Sequence, residues 1–166
     1  MTDTAAPHEP TGERRFEGRR AFHAAVVDLA AGGGGDEWWW ADPDFADWPL
    51  DDPALIEALA RWLARPGRTL TLLACDFDEL QRRHPRFVAW RRYQAHRVFG
   101  RAVDLDPSQM PTLFVTGAPR AVQMLDRVRW RGVRVDDAAD WRDLRELVDA
   151  LAQRSQTSFA ATTLGL

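Results

Sequence analysis

Apolar residues recur along this chain with two different periods, and the switches between them mark the elements. "RRAFHAAVVDLA" places Phe22, Val26 and Leu29 at helical spacing before four glycines, residues 32–35, end the run. The preceding "ERRFEG" reads as a short edge strand. "DEWWWADPDF" is a compact aromatic run that predicts a strand over 37–41, closed by Asp42-Pro43. Trp38, Trp39 and Trp40 cannot all face one side of a strand, so both faces of the sheet must be covered.

Asp52 stands at an N-cap with Pro53 in the first helical position, and Leu55, Leu59, Trp62 and Leu63 make one apolar stripe that "RPG" ends. "TLTLLAC" is apolar without alternation, as expected of a strand buried on both faces, and is placed at the sheet's centre. "DFDELQRRHPRFVAWRRYQAHRV" reads as helix broken at His84-Pro85, with Phe87, Trp90 and Tyr93 toward the core. "GRAVDLD" reads as a strand and "MPTLFVTGAPRAVQML", residues 110–125, as a hairpin. A closing helix follows, with Asp140 as its cap and Trp141, Leu144, Val148 and Leu151 inward.

Strands alternating with helices predict an α/β domain with a mixed, mostly parallel sheet flanked by helices. Its expected extent is 13–155, after a disordered tail over 1–12 and before an extended arm over 156–166.

Composition narrows the chemistry. With 166 residues, 45% hydrophobic and 28% charged, the chain suits one globular domain. No apolar run approaches the roughly 18 residues needed to span a bilayer, and no leader-like order opens the chain, so a cytoplasmic protein without a membrane partner is expected. A lone Cys75 excludes an internal disulfide and a multi-cysteine zinc site. All 22 basic residues are arginine, which removes Schiff-base and lysine-assisted phosphoryl mechanisms. The net charge of −3 gives no global attraction to polyanions, although local patches are compatible with it.

The order of elements, and the 110–125 hairpin above all, resembles one half of a phospholipase D-like fold. It is similar in particular to a bacterial group of degenerate domains of that kind, through "ADPDFADWPL" and "ATTLGL". That family carries a histidine, a lysine and an aspartate on the first hairpin strand, and these positions fall on Met110, Thr112 and Gly117. Its Gly-Ser-x-Asn stretch falls on Met124, Leu125, Asp126 and Arg127. The resemblance therefore implies a non-catalytic binding or assembly module, without catalytic residues, cofactor or metal. Because two halves form the family's site, it also implies a homodimer and an unknown protein partner.

Two alternatives remain beside it. "TLLACDFDEL" ends an apolar strand in Asp-x-Asp and resembles the nucleophile loop of haloacid-dehalogenase-like phosphatases, with Asp76 attacking phosphorus and Asp78 as acid and base around magnesium. The bland account has Asp78 capping the next helix and Asp76 shaping the turn. Asp42, Asp44 and Asp47 end the preceding strand and would gather with that loop if the two strands are parallel neighbours. The second alternative is nucleic-acid binding through the arginine-rich helix 82–97, with Arg91 and Arg92 as candidate contacts. Its bland counterpart is a solvated helix face with Trp90 and Tyr93 in the core. His23, His84 and His96 have no metal-ligand spacing.

Overall fold

The computed structural model describes residues 14–159 as one α/β unit. An eight-stranded mixed sheet runs through it: β1 (Arg15–Glu17), β2 (Glu37–Ala41), β3 (Thr69–Ala74), β4 (Val98–Val103), β5 (Leu113–Val115), β6 (Ala121–Asp126), β7 (Arg131–Val135) and β8 (Ser155–Ser158). The order across the sheet is β1-β7-β6-β5-β2-β3-β4-β8. Only β2–β3 and β3–β4 pair in parallel, and the other five pairings are antiparallel.

The sheet is thus mostly antiparallel, which corrects the mostly parallel expectation. Strands alternate with helices from β1 to β4, but only β2, β3 and β4 lie side by side in parallel; β5, β6 and β7 follow one another through short turns and therefore meander antiparallel. The sheet's middle lies at β5 and β2, not at β3. Residues 1–12, expected as a tail, lie outside the described residues, as does 160–166 of the expected arm. The arm's first residues form β8, which pairs with β4 and closes that edge.

Four helices cover one face: α1 (Arg19–Gly32), α2 (Pro53–Leu63), α3 (Asp78–Arg83) and α4 (Pro85–Arg92). Their apolar sides bury Phe22, Val26, Leu59, Trp62 and Phe87 against Trp38, Trp40, Leu72 and Phe114. The other face is covered by α5 (Ala138–Gln153), whose Leu144, Val148 and Leu151 pack on Trp39, Leu73, Leu113 and Val115. The tryptophan run is thereby split between two cores, as strand alternation requires. Trp38 stacks on Trp62 with centroids 3.8 Å apart, a geometry worth about 0.5–1.5 kcal/mol beyond the buried area.

Local signals set the ends of the helices. Asp52 caps α2 by accepting from the Ala54 N–H, with Pro53 at the first position. The cap of α5 is Asp137, which accepts from Ala139 and Asp140, so the expected Asp140 lies inside the first turn. A chain break between α3 and α4 falls at His84-Pro85 as expected. Phe87 is buried and Trp90 half-buried, but Tyr93 lies beyond the end of α4 and is exposed.

After α1 the glycines turn against the β5–β6 loop. Gly35 has φ +80°, and a Cβ there would overlap the Gly117 backbone. Replacing Gly35 with alanine is therefore expected to lower stability by about 1–3 kcal/mol in urea unfolding. An unchanged midpoint would show that the loop yields at no cost.

Candidate functional site

The β2–β5 register determines the site. Trp39 pairs with Val115, Trp40 with Phe114 and Ala41 with Leu113. One step further along both strands, Thr112 meets Asp42, and its hydroxyl donates to Asp42 Oδ1 at 2.5 Å. The other carboxylate oxygen accepts from the backbone N–H of Phe45 at 2.8 Å and of Asp44 at 3.1 Å, an Asx turn that shapes the loop after β2. Asp42 is only 8% exposed. Burial pushes its carboxyl above the ordinary range, and the bonds from Thr112, Phe45 and Asp44 pull the other way.

Asp42 and Thr112 sit in the wall of a cavity of about 180 Å³, together with Asp44, Trp48, Arg127 and Trp130. Trp48 is 3% exposed. Its indole N–H lies beside the Asp42 carboxyl, where it favours the charged form, without an aligned bond to any described acceptor. Arg127 belongs to the turn between β6 and β7 and is exposed, so it stands at the rim. Three sequence candidates from the aspartate loop, Asp42, Asp44 and Asp47, and three of the mapped motif positions, Thr112, Met124 and Arg127, are therefore brought together. Trp48 completes the set, and no local pattern marks it as a site residue.

The remaining candidates go elsewhere. The β2 and β3 strands are parallel neighbours, and the Cys75 N–H donates to the Pro43 carbonyl, so the two loops touch through their backbones. Asp76 and Asp78 are nevertheless exposed. Asp76 Oδ1 accepts from the Asp78 N–H at 2.6 Å, so Asp76 shapes the turn before α3 as the bland account has it, whereas Asp78 is the first residue of that helix and Phe77, not Asp78, stands at its cap. Among the described residues no three His, Cys, Asp or Glu side chains are grouped to hold a metal ion. Met110 is fully buried, and Gly117 is an exposed loop residue against Gly35. Burial raises the pKa of the Cys75 thiol, whose hydrogen is directed at the Leu105 carbonyl.

The expected helix 82–97 is not continuous: it is the end of α3, all of α4 and a turn over 93–97, so its arginines do not form a row. Arg82 and Arg83 both bind Glu79. Arg91, expected on the wet side, is 4% exposed, donates to the Val98 carbonyl and lies over the Phe159 ring. Arg97 is spent on the carbonyls of Leu63, Arg65 and Arg68 at the end of α2. Arg92 is exposed. His84 is buried with its ring on the Phe45 carbonyl, and His23 is half-buried with its ring on the Asp47 carbonyl.

Arginines do gather at the opposite end of the sheet. Antiparallel pairing of β1 with β7 lays the segment 14–20, "RRFEGRR", beside 127–134, "RVRWRGVR". The two segments hold eight arginines and one glutamate, a formal sum of +7 that the ion-paired Asp28, Asp47 and Asp136 outside them reduce to +4, in a chain of net −3. Arg14, Arg19, Arg131 and Arg134 are engaged by Asp136, Asp47, Glu17 and Asp28. Arg15, Arg20, Arg127 and Arg129 make no ion pair among the described residues. The strip adjoins the cavity, because Arg127 and Trp130 line it. Sequence reasoning missed this strip because its halves lie more than 100 residues apart and only strand pairing unites them.

Asp42 gives the site a pH signature. In the interval between an ordinary carboxylate pKa of about 3.9 and its raised folded value, the folded chain binds more protons than the unfolded chain. Its contribution to stability therefore falls as pH rises through that interval. Asp42→Asn, which keeps an acceptor for Phe45 and a partner for Thr112, is expected to remove this slope and to be at least as stable as the parent at pH 7. Asp42→Ala is expected to cost about 1–3 kcal/mol, since it orphans buried donors. Urea unfolding from pH 4 to 7 checks both, and parallel profiles for parent and Asn variant would refute the assignment.

No protein-family model and no curated protein sequence matches the chain. A solved structure does: that of TrmBL2, an archaeal chromatin protein described as showing a novel mode of DNA binding. The likeness has a TM-score of 0.62 at 16% identity and covers 91% of this chain. This chain spans only 56% of that one. The shared feature is the fold. These findings correct the resemblance to a phospholipase D-like domain: no family model carries it, and the structural neighbour is a DNA-binding chromatin protein. A homodimer, implied by that resemblance alone, loses its support with it. No helix among the described residues is long and apolar enough to cross a membrane.

Proposed function

We propose that this chain is a nucleic-acid-binding module that contacts the phosphate backbone through the arginine strip of β1, the start of α1 and the β6–β7 turn. The carrying observation is the concentration of eight arginines in two paired segments, four of which, Arg15, Arg20, Arg127 and Arg129, make no ion pair among the described residues. Arginine forks match phosphate oxygens, and binding releases condensed counterions, so such a strip attracts a polyanion that the whole molecule would not. The architectural likeness to a chromatin protein that binds DNA supports the same reading. The strip replaces helix 82–97 as the contact surface, since Arg91 and Arg97 are occupied within the fold.

The triple variant Arg15→Gln/Arg20→Gln/Arg129→Gln removes cations that hold no ion pair among the described residues, so folding is preserved. Its affinity for a 20-base-pair duplex at 100 mM salt is expected to drop at least tenfold. The slope of log affinity against log salt should fall by about 1–3. Arg86→Gln/Arg92→Gln should leave both nearly unchanged. Fluorescence anisotropy across salt decides: absence of binding by the parent, or a larger effect from the second variant, sinks the proposal.

A further inference from the structure

The turn between β6 and β7 carries a feature that contact with phosphates leaves unexplained. Asp126 pairs with Arg131 across the hairpin, so residues 127–130 form its tip. There Val128 is 90% exposed, between exposed Arg127 and Arg129. Turns favour Gly, Asn, Asp and Ser, so nothing in the backbone calls for a β-branched apolar residue at this place. Phosphate oxygens accept hydrogen bonds and offer such a side chain nothing.

The tip is fixed from behind. Asp126 Oδ1 accepts from the backbone N–H of Val128 at 3.0 Å and of Arg129 at 3.1 Å. Trp130 takes φ +55°, a region costly for a bulky residue, and its ring centroid lies 5.7 Å from that of Phe22. The Trp130 carbonyl accepts from the Gly18 N–H at 3.0 Å, which sets the start of α1, with Arg19 and Arg20, beside the turn.

The donor pattern selects the surface that this tip fits. Arg127 gives one nitrogen to the Pro107 carbonyl at 3.4 Å, and the Arg129 side chain has no partner among the described residues. The Asp126 carboxylate is turned onto backbone N–H groups, so the tip presents side-chain donors and an apolar group but no side-chain acceptor. The major groove mixes donors with acceptors, whereas the minor groove of A·T pairs shows only the acceptors adenine N3 and thymine O2. A G·C pair adds the guanine N2 amino donor to the minor-groove floor, where it would confront the arginines. Narrow A·T-rich minor grooves also concentrate negative potential, and apolar side chains set against base steps are a recurrent device there. The minor groove of an RNA duplex is wide, shallow and lined with 2′-hydroxyls, so it matches neither feature.

We propose that the β6–β7 turn enters the minor groove of duplex DNA at A·T-rich sequence, with Val128 against the groove floor and Arg127 and Arg129 on the acceptors at its sides. The inference rests on the nucleic-acid reading above and adds to it the kind of duplex, the groove and the base composition.

The test measures fluorescence anisotropy at about 100 mM salt on DNA duplexes of about 20 base pairs built from A·T, G·C or inosine·C pairs, and on an A·U RNA duplex. Inosine lacks the guanine N2 amino group, so the inosine·C duplex has the minor-groove pattern of A·T and the major-groove pattern of G·C. The parent chain is expected to bind the A·T and inosine·C duplexes about fivefold or more tighter than the G·C and RNA duplexes. Val128→Ser should keep the thermal midpoint and the salt slope while reducing that preference to less than about twofold. An inosine·C duplex that behaves as G·C, RNA bound as tightly as A·T DNA, or a preference untouched by Val128→Ser overturns the proposal. Salt-dependent binding without base preference overturns the groove assignment alone and leaves the arginine strip in place. Absence of binding to every duplex removes both.

Discussion

Antiparallel pairing of β2 with β5 is the constraint on which the rest depends. It joins the parallel trio β2-β3-β4 to the meander β5-β6-β7, and β1 hangs on the far side of that meander. Because side chains alternate, the register that seats Trp40 beside Phe114 in one core also seats Trp39 beside Val115 in the other. A slip of one residue would turn every one of these side chains to the wrong layer. The same register carries Thr112 to Asp42, so the candidate site is a consequence of core packing and not an addition to it.

Burial of polar groups is compensated differently at each place. Asp42 is held by a hydroxyl and two backbone N–H groups, which offset part of its desolvation. Arg91 has no carboxylate partner among the described residues; burial lowers its pKa to about 10, which leaves it charged near neutral pH. An aromatic ring at 3.9 Å and the Val98 carbonyl at 3.2 Å take the place of an ion pair. Arg97 closes the end of α2 by taking up its last carbonyls, a role that suits a planar fork of donors. In this part of the fold arginine acts as structure, which is why a count of arginines along 82–97 misjudges the surface.

Features set by neighbours in sequence were legible in it. The Asp52-Pro53 helix start, the break at His84-Pro85, the tryptophan strand and the 110–125 hairpin all depend on local chemistry. What depends on pairing between distant segments was not. Hydrophobic alternation gives a strand but not its partner, so the parallel impression drawn from β2 to β4 extended wrongly to the whole sheet. Asp42 and Asp44 could be named from their place after a strand, whereas Trp48 and Arg127 join them only through the folded path of the loop and the β6–β7 turn. Fold-level likeness misled for a related reason. Element order can be matched on a hairpin whose own residues, Met110, Thr112 and Gly117, bear none of the expected chemistry.

Segregation of charge gives the molecule a direction. With +7 in the two paired segments, the remainder of the chain carries −10. At physiological salt the screening length is about 8 Å, short against the width of an eight-stranded sheet, so an approaching polyanion responds to the nearest face and not to the net charge. The β1 edge attracts while the acidic remainder repels, which favours one orientation of encounter over the others. Strand pairing thus brings two separate basic strings onto one edge of the sheet. Arg127, shared by that side and by the cavity wall, ties the local site to this larger arrangement.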